Sequence, residues 1–378
     1  MPLRARWNGK DVLACLLSDE EWAALERERR RTALALVLPC CGIAAYQRTG
    51  PQGTRHFVHQ PGHACTTAPE SDEHLRAKSE IARACHAQGW EPVTEYAGPD
   101  WIADVLASRA RQRVAFEVQL SPQTARETRL RHGRYLRDGV HDCWLFATVP
   151  DGLEADEAVP CFSLVRATAE SRARTGPAPG SAGLESGVLL GAAVTPLRQF
   201  VGAWLGRRVR FSRRLVARTQ QQVTLLFVPA KCPSCKAETH VHHLAAPYLS
   251  QCGLEMRCGA RPGWSAEARV LPLLFRPEIL RLLEEVSRSS RHPRLKTGEL
   301  RPRTIPGLRR SAMTFGCSGC GGPLVWEDYS SRVREAQATG KGLAWKVETR
   351  VALARNFQEA GPHWCFLGDG TTCAEAGS

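Results

Sequence analysis

Apolar and polar positions along the chain alternate with two different periods, and the change between them marks the elements. In "DEHLRAKSEIARACHAQG" (72–89) the apolar residues recur every three to four positions, which predicts a helix with Ser71 as N-cap and Gly89 as its stop. Then "EPVTEYA", "WIADVLA" and "RVAFEVQL" read as three strands, the last two joined by a polar turn within Ser108–Arg113. "SPQTARETRLRHGRYLRDG" predicts a second helix, capped by Ser121, with Pro122 in its first turn and Gly139 at its end. "HDCWLFATV" is a fourth strand. The order α-β-β-β-α-β predicts a mixed sheet flanked by helices.

Two polar intrusions break the strand pattern. Asp104 interrupts the first apolar run of the hairpin. Glu117 and Gln119 sit two apart on its partner and so share a face. Carboxylates converging from neighbouring strands near a sheet edge make an oxygen-rich site that suits Mg²⁺ or Mn²⁺. The alternative is that each carboxylate pairs with an arginine of a neighbouring helix. On the first helix His74, Lys78, Ile81 and Cys85 share the inward face, so Lys78 needs an anionic partner. Glu95, on the preceding strand, is a possible third carboxylate. Arg126, Arg129, Arg134 and Arg137 form one wide face of the second helix.

Outside this block the chain divides into a Cys/His-rich stretch (1–66), the α/β core (67–167), a Gly/Ala/Ser/Pro-rich flexible linker (168–187) and a basic remainder with paired cysteines (188–378). The formal charge of +13 favours a polyanionic partner. Its placement sharpens that: 72–149 holds 11 acidic and 11 basic residues. By contrast Arg207–Arg218 has six arginines and no acid, and Arg288–Arg310 has eight basic residues against Glu299 alone. No apolar run approaches the ~20 residues of a membrane span, and the N-terminus lacks the order of a signal peptide. A cytoplasmic protein without membrane insertion is expected.

Fifteen cysteines without an export signal point to metal ligands rather than disulfides. "CPSC" (Cys232, Cys235) and "CSGC" (Cys317, Cys320) have the C-x₂-C spacing that brings two thiolates to one Zn²⁺. They could close one Cys₄ site across a long insertion. Two sites with shorter loops are preferred: Cys232 and Cys235 with Cys252 and Cys258, and Cys317 and Cys320 with His363 and Cys365. Near the N-terminus, Cys40, Cys41, His59 and Cys65 form a third candidate set. Each zinc would be structural.

Asp104, twelve residues and then Glu117-Val118-Gln119 resembles the D…ExK core of restriction-endonuclease-like nucleases, with glutamine in the place of lysine. Together with "HFVH", "HLRAKSEIA", "ADVL", "AFEVQLS" and "RLRHGRYLRDGVHDCWLF", the stretch from ~56 to 148 resembles the CoiA-like competence protein family. That resemblance implies an α/β restriction-endonuclease-like core flanked by zinc-binding modules, and a metal-dependent deoxyribonuclease that processes DNA. Asp104 and Glu117 would hold the ion, the Val118 carbonyl would add to them, and Gln119 would orient water or phosphate. Lys78 and His74 would complete the catalytic set. Single-stranded or branched DNA and DNA-processing proteins are the expected partners; the rival is a catalytically silent DNA-binding adaptor.

Overall fold

The structure, a computed structural model, describes residues 2–31, 36–60, 70–166, 186–245, 248–258, 271–288, 294–304, 311–324, 327–353, 357–366 and 373. It contains two units, Met1–Arg213 with Pro362–Ala374, and Arg214–Gly361 with Glu375–Ser378.

In the first unit the predicted block folds in the predicted order. Helix α1 (Asp19–Arg31) belongs to the N-terminal part, with the small strands β1 (Arg4–Trp7), β2 (Lys10–Leu13), β3 (Leu36–Val37), β4 (Ala45–Thr49) and β5 (Arg55–His59). There follow α2 (Asp72–Ala87), β6 (Glu91–Ala97), β7 (Ile102–Arg109), β8 (Gln112–Gln119), α3 (Ala125–Arg137) and β9 (His141–Phe146). Ser71 caps α2 by accepting the His74 N–H at 3.2 Å, and Gly89 ends it with φ 72°. Leu75, Ala77, Ile81 and Cys85 are fully buried along one face of α2, the larger ones each contributing roughly 1.5–3 kcal/mol of apolar burial.

The start of α3 differs from expectation. Thr124, not Ser121, is the N-cap, and Pro122 lies before the helix. The reason is a reciprocal capping box: Thr124 accepts the Glu127 N–H at 3.2 Å, while the Glu127 carboxylate accepts the Thr124 N–H at 2.9 Å. Two backbone donors are satisfied at Thr124, and Ser121 has no such partner three residues on.

Sheet order is β12-β11-β10-β9-β8-β7-β6, where β10 is Cys161–Arg166, β11 is Ser186–Leu190 and β12 is Ala193–Pro196. β6, β7 and β8 are antiparallel; β8, β9 and β10 run parallel. The sheet is therefore mixed. Of the expected linker 168–187, residues 168–185 lie outside the described residues, while Ser186 and Gly187 begin β11. One sheet face packs on α2 and on α4 (Leu197–Leu205) through Val105, Phe116, Val118 and Phe200. Across the sheet, Leu106, Ala115, Trp144 and Tyr135 of α3 form a second core.

The second unit is built on a three-stranded antiparallel sheet of Gln220–Lys231 between Glu238–Leu244 and Trp345–Ala352. The helix Pro277–Arg288 places Ile279, Leu282, Leu283 and Val286 in the same core as Phe227 and Val241. A smaller sheet joins Leu300–Thr304, Ser311–Gly316 and Pro323–Leu324. No helix among the described residues is long and apolar enough to cross a membrane.

A candidate metal and carboxylate site at a strand fork

Register explains why Asp104 and Glu117 sit where they do. β7 and β8 pair from Arg109↔Gln112 as far as Val105↔Phe116, and no pair follows. β7 meanwhile stays on β6 through Tyr96↔Ala103, and β8 stays on β9 through Glu117↔Trp144 and Gln119↔Phe146. A fork thus opens at Asp104 and Glu117. The Asp104 carboxylate closes part of it by accepting the Val118 N–H at 2.8 Å, a donor the ladder has left unpaired.

The two carboxylates are met by different helices. From α2, His74 Nε2 reaches Asp104 Oδ2 at 3.3 Å, and His74 Nδ1 reaches Glu70 Oε1 at 3.4 Å. Glu70, His74 and Asp104 each offer a ligand atom within 4.8 Å of the others; Glu117 is outside this group. Lys78 is fully buried and donates to Glu70 at 2.7 Å while also pairing with Glu95. Burial works against its charge, but Glu95, Asp104 and Glu70 together raise its pKa. Glu95 lies between the pairs Thr94↔Val105 and Tyr96↔Ala103, and it holds a left-handed backbone (φ 49°). For Asp104 burial is again the largest influence and opposes ionisation; His74, Lys78 and the Val118 N–H outweigh it and hold the carboxyl below its ordinary value.

Glu117 faces α3. Its Oε2 accepts from Arg131 at 2.5 Å and from Gln119 Nε2 at 3.1 Å, and its Oε1 meets the Tyr135 hydroxyl. That hydroxyl also lies 3.0 Å from the Ile102 carbonyl. One phenolic proton cannot serve two acceptors well, but a protonated Glu117 resolves the conflict by donating to Tyr135, which donates to Ile102. Burial, then the Asp104 charge, push the Glu117 carboxyl up to about 8 against Arg131 and Tyr135. The two carboxyls of the fork are thus pushed in opposite directions, Asp104 towards ionisation and Glu117 towards protonation, a separation that suits acid–base chemistry.

Asp104, Glu117, Val118, Gln119, Lys78 and His74 all lie at or beside the fork, but the two carboxylates do not share one set of partners as expected: Asp104 meets α2 and Glu117 meets α3. Sequence reasoning missed Glu70 and Arg131. Glu70 precedes the Ser71 cap and so lies outside α2; a carboxylate at the entry to a helix with an inward lysine is the signal that could have found it. Arg131 stands four before Tyr135 on the inward edge of α3. The four arginines singled out on that helix include Arg129, paired with Asp156 at 3.1 Å, and Arg137, paired with Asp100 at 2.7 Å.

The cysteines group differently from the preferred pairing. Cys232, Cys235, Cys317 and Cys320 come together in the second unit, all four Sγ atoms within 4.8 Å of one another. Cys235 and Cys317 are 3.5 Å apart and Cys232 and Cys320 3.7 Å. Each C-x₂-C turn lies between two strands, and the turns are tied by Ser318 N–H donating to Thr239 Oγ1 at 2.9 Å. Loop length did not decide the partner, because closing a longer loop costs only about 0.6 kcal/mol per doubling. Cys252 accepts or donates a contact with Ser250 Oγ at 3.2 Å, and Cys258 is buried in the apolar core with its thiol pushed up to about 12 by burial. His363 and Cys365 are 2.8 Å apart, with Cys373 in the same cluster. Cys40, Cys41 and His59 also converge, Cys41 Sγ lying 3.3 Å from His59 Nε2; Cys65 lies outside the described residues. These clusters could hold a structural metal such as zinc.

An α/β domain with a mixed sheet, helices on both of its faces and a polar fork at the end of its central strands is the class of structure on view. Residues 70–151 match the family model described as competence protein CoiA, nuclease-like domain. The chain carries a nuclease-like domain of that kind. No curated protein matches the chain. No solved structure matches it either.

Proposed function

We propose that the fork is the active centre of a metal-dependent deoxyribonuclease that hydrolyses phosphodiester bonds, on a restriction-endonuclease-like core. The observation that carries this reading is the convergence of Glu70, His74 and Asp104 beside a fully buried Lys78. Lone pairs remain to be used there: Glu70 Oε2 and Glu95 Oε2 are buried without a hydrogen-bond partner. Such a donor set fits a divalent cation, Mg²⁺ or Mn²⁺, held by Asp104 with Glu70 and His74, and with Glu117 and the Val118 carbonyl adjoining. When bound, the ion supplies Lewis-acid charge at a phosphate and lowers the pKa of a water. Lys78 offsets only part of the charge of Glu70, Glu95 and Asp104, so the cluster stays net negative, which favours a cation there. Gln119 presents a neutral amide where a lysine charge stands in the D…ExK pattern, so it orients water or phosphate without neutralising charge.

DNA is the proposed polyanion, single-stranded or branched, held by the exposed arginines of 207–218 and the basic run 288–310, with DNA-processing proteins as partners. Zinc is proposed for the four-cysteine cluster. A tetrahedral ion with Zn–S near 2.3 Å requires sulfurs roughly 3.8 Å apart, close to the 3.5 and 3.7 Å found.

A second reading is a DNA-binding adaptor without cutting. The enclosure of Glu117 by Arg131, Tyr135 and Gln119 favours it, since both oxygens of that carboxyl are engaged within the protein. Labelled single-stranded and duplex DNA with Mg²⁺, Mn²⁺ or chelator, beside Asp104→Asn and Glu117→Ala, separates the two. Cutting that needs the ion and is lost in both variants is the expected result. Intact DNA, bound equally by all three proteins, would establish the adaptor.

A further inference from the structure

At the opposite end of β8 and β9 from the fork, a cavity of about 440 Å³ is lined by their first residues, by α3, and by the segment following α4. That volume falls in the roughly 300–1,000 Å³ range of small-ligand sites. On its floor Asp142, 2% exposed, accepts from the Trp144 indole at 2.5 Å and takes His132 Nδ1 on both oxygens at 2.8 and 2.9 Å. The aspartate is thus fully used, and the imidazole is fixed with Nε2 on the far side of the ring. Hydrogen bonding to Asp142 raises the His132 pKa against the effect of burial.

The wall is basic. Arg207 and Arg210 line the cavity, are exposed, and make no ion pair among the described residues. The other lining carboxylate, Glu157, is already paired with Arg213 at 2.8 Å. The lining also includes Trp204, whose ring packs on Phe162, Phe200 and Trp364, and the half-exposed Leu136. Cations grouped beside an aromatic surface match a phosphate attached to a flat base.

We propose that this cavity binds one nucleotide of a DNA strand, its phosphate on Arg207, Arg210 and His132 and its base against Trp204 and Leu136. The inference deepens the nucleic-acid reading by giving the strand a second subsite, and it uses none of the residues at the fork.

Isothermal titration of the full chain with thymidine monophosphate, thymidine and inorganic phosphate tests it. The monophosphate is expected to bind more tightly than either fragment, because only it engages both walls. Arg210→Ala, and Arg207→Ala with Arg210→Ala, should weaken it about tenfold or more, as loss of a charge-assisted hydrogen bond does. Asp104→Asn should leave it unchanged. Both arginines are exposed, so these variants retain the fold, which circular dichroism verifies. Equal binding of monophosphate and inorganic phosphate, or arginine variants that bind like the parent, would overturn the proposal. DNA cutting on the same preparations keeps the two readings apart: cutting without monophosphate binding removes only this subsite, and binding without cutting removes only the nuclease.

Discussion

The Lys78 ammonium donates to Glu70 at 2.7 Å with no solvent access of its own, and Glu95 completes its pairing. Lys78 therefore offsets part, but not all, of the carboxylate charge in this part of the protein. Lys78→Met would leave Glu70, Glu95 and Asp104 facing one another. Loss of the cation from a buried cluster should cost about 3–5 kcal/mol, measured by urea unfolding. Added Mn²⁺ should recover part of that loss, since a divalent ion replaces the missing positive charge.

Glu117 gives a pH dependence with a definite sign. Its folded pKa of about 8 exceeds the ordinary 4.5, so between those values the folded state holds a proton that the unfolded state has lost. Stability from this group is complete below about 4.5 and falls as pH rises towards 8, by up to about 1.4 kcal/mol per unit. Glu117→Gln mimics the protonated acid, donating to Tyr135 and accepting from Arg131. It should fold with near-parent stability at acid pH and lack this slope, while losing any metal-dependent cutting. A parent-like slope in the variant would show that another group titrates.

The four-cysteine cluster predicts one metal ion shared by two turns. Cys317→Ser, or prolonged chelation, should release zinc and lower the unfolding midpoint of the second unit by roughly 10 °C or more. Cys258→Ser should leave zinc content unchanged. Elemental analysis with calorimetry reads both.

At the start of α3, Thr124→Ala should cost about 1 kcal/mol through loss of the capping box. Ser121→Ala should stay within about 0.5 kcal/mol, as an exposed substitution outside any such motif does. Chemical denaturation distinguishes them directly.

Local physics was legible in the chain. The 3.6- and 2-residue periods placed α2, β7, β8, α3 and β9, and Gly89 and Gly139 marked helix ends where a left-handed backbone is needed. Lys78 was readable as a buried cation because it shares the inward helix face with Ile81 and Cys85. The resemblance carried by Asp104 and Glu117 pointed to the nuclease-like domain that residues 70–151 match.

Other relations depended on elements meeting far apart in sequence. Where β7 leaves β8 is a matter of register, so no periodicity could show that Asp104 would face α2 while Glu117 faced α3. Glu70 became part of the site only because the segment entering α2 lies beside the fork. β11 joined the sheet although its first two residues, Ser186 and Gly187, read as linker, because strand pairing is satisfied by any backbone that reaches an edge. The thiols show the division most clearly. C-x₂-C spacing determines that two cysteines can share an ion, a property of a four-residue turn. Which second pair completes it was decided by two hairpin turns brought together from 82 residues apart, and proximity in space is a property of the packed fold alone.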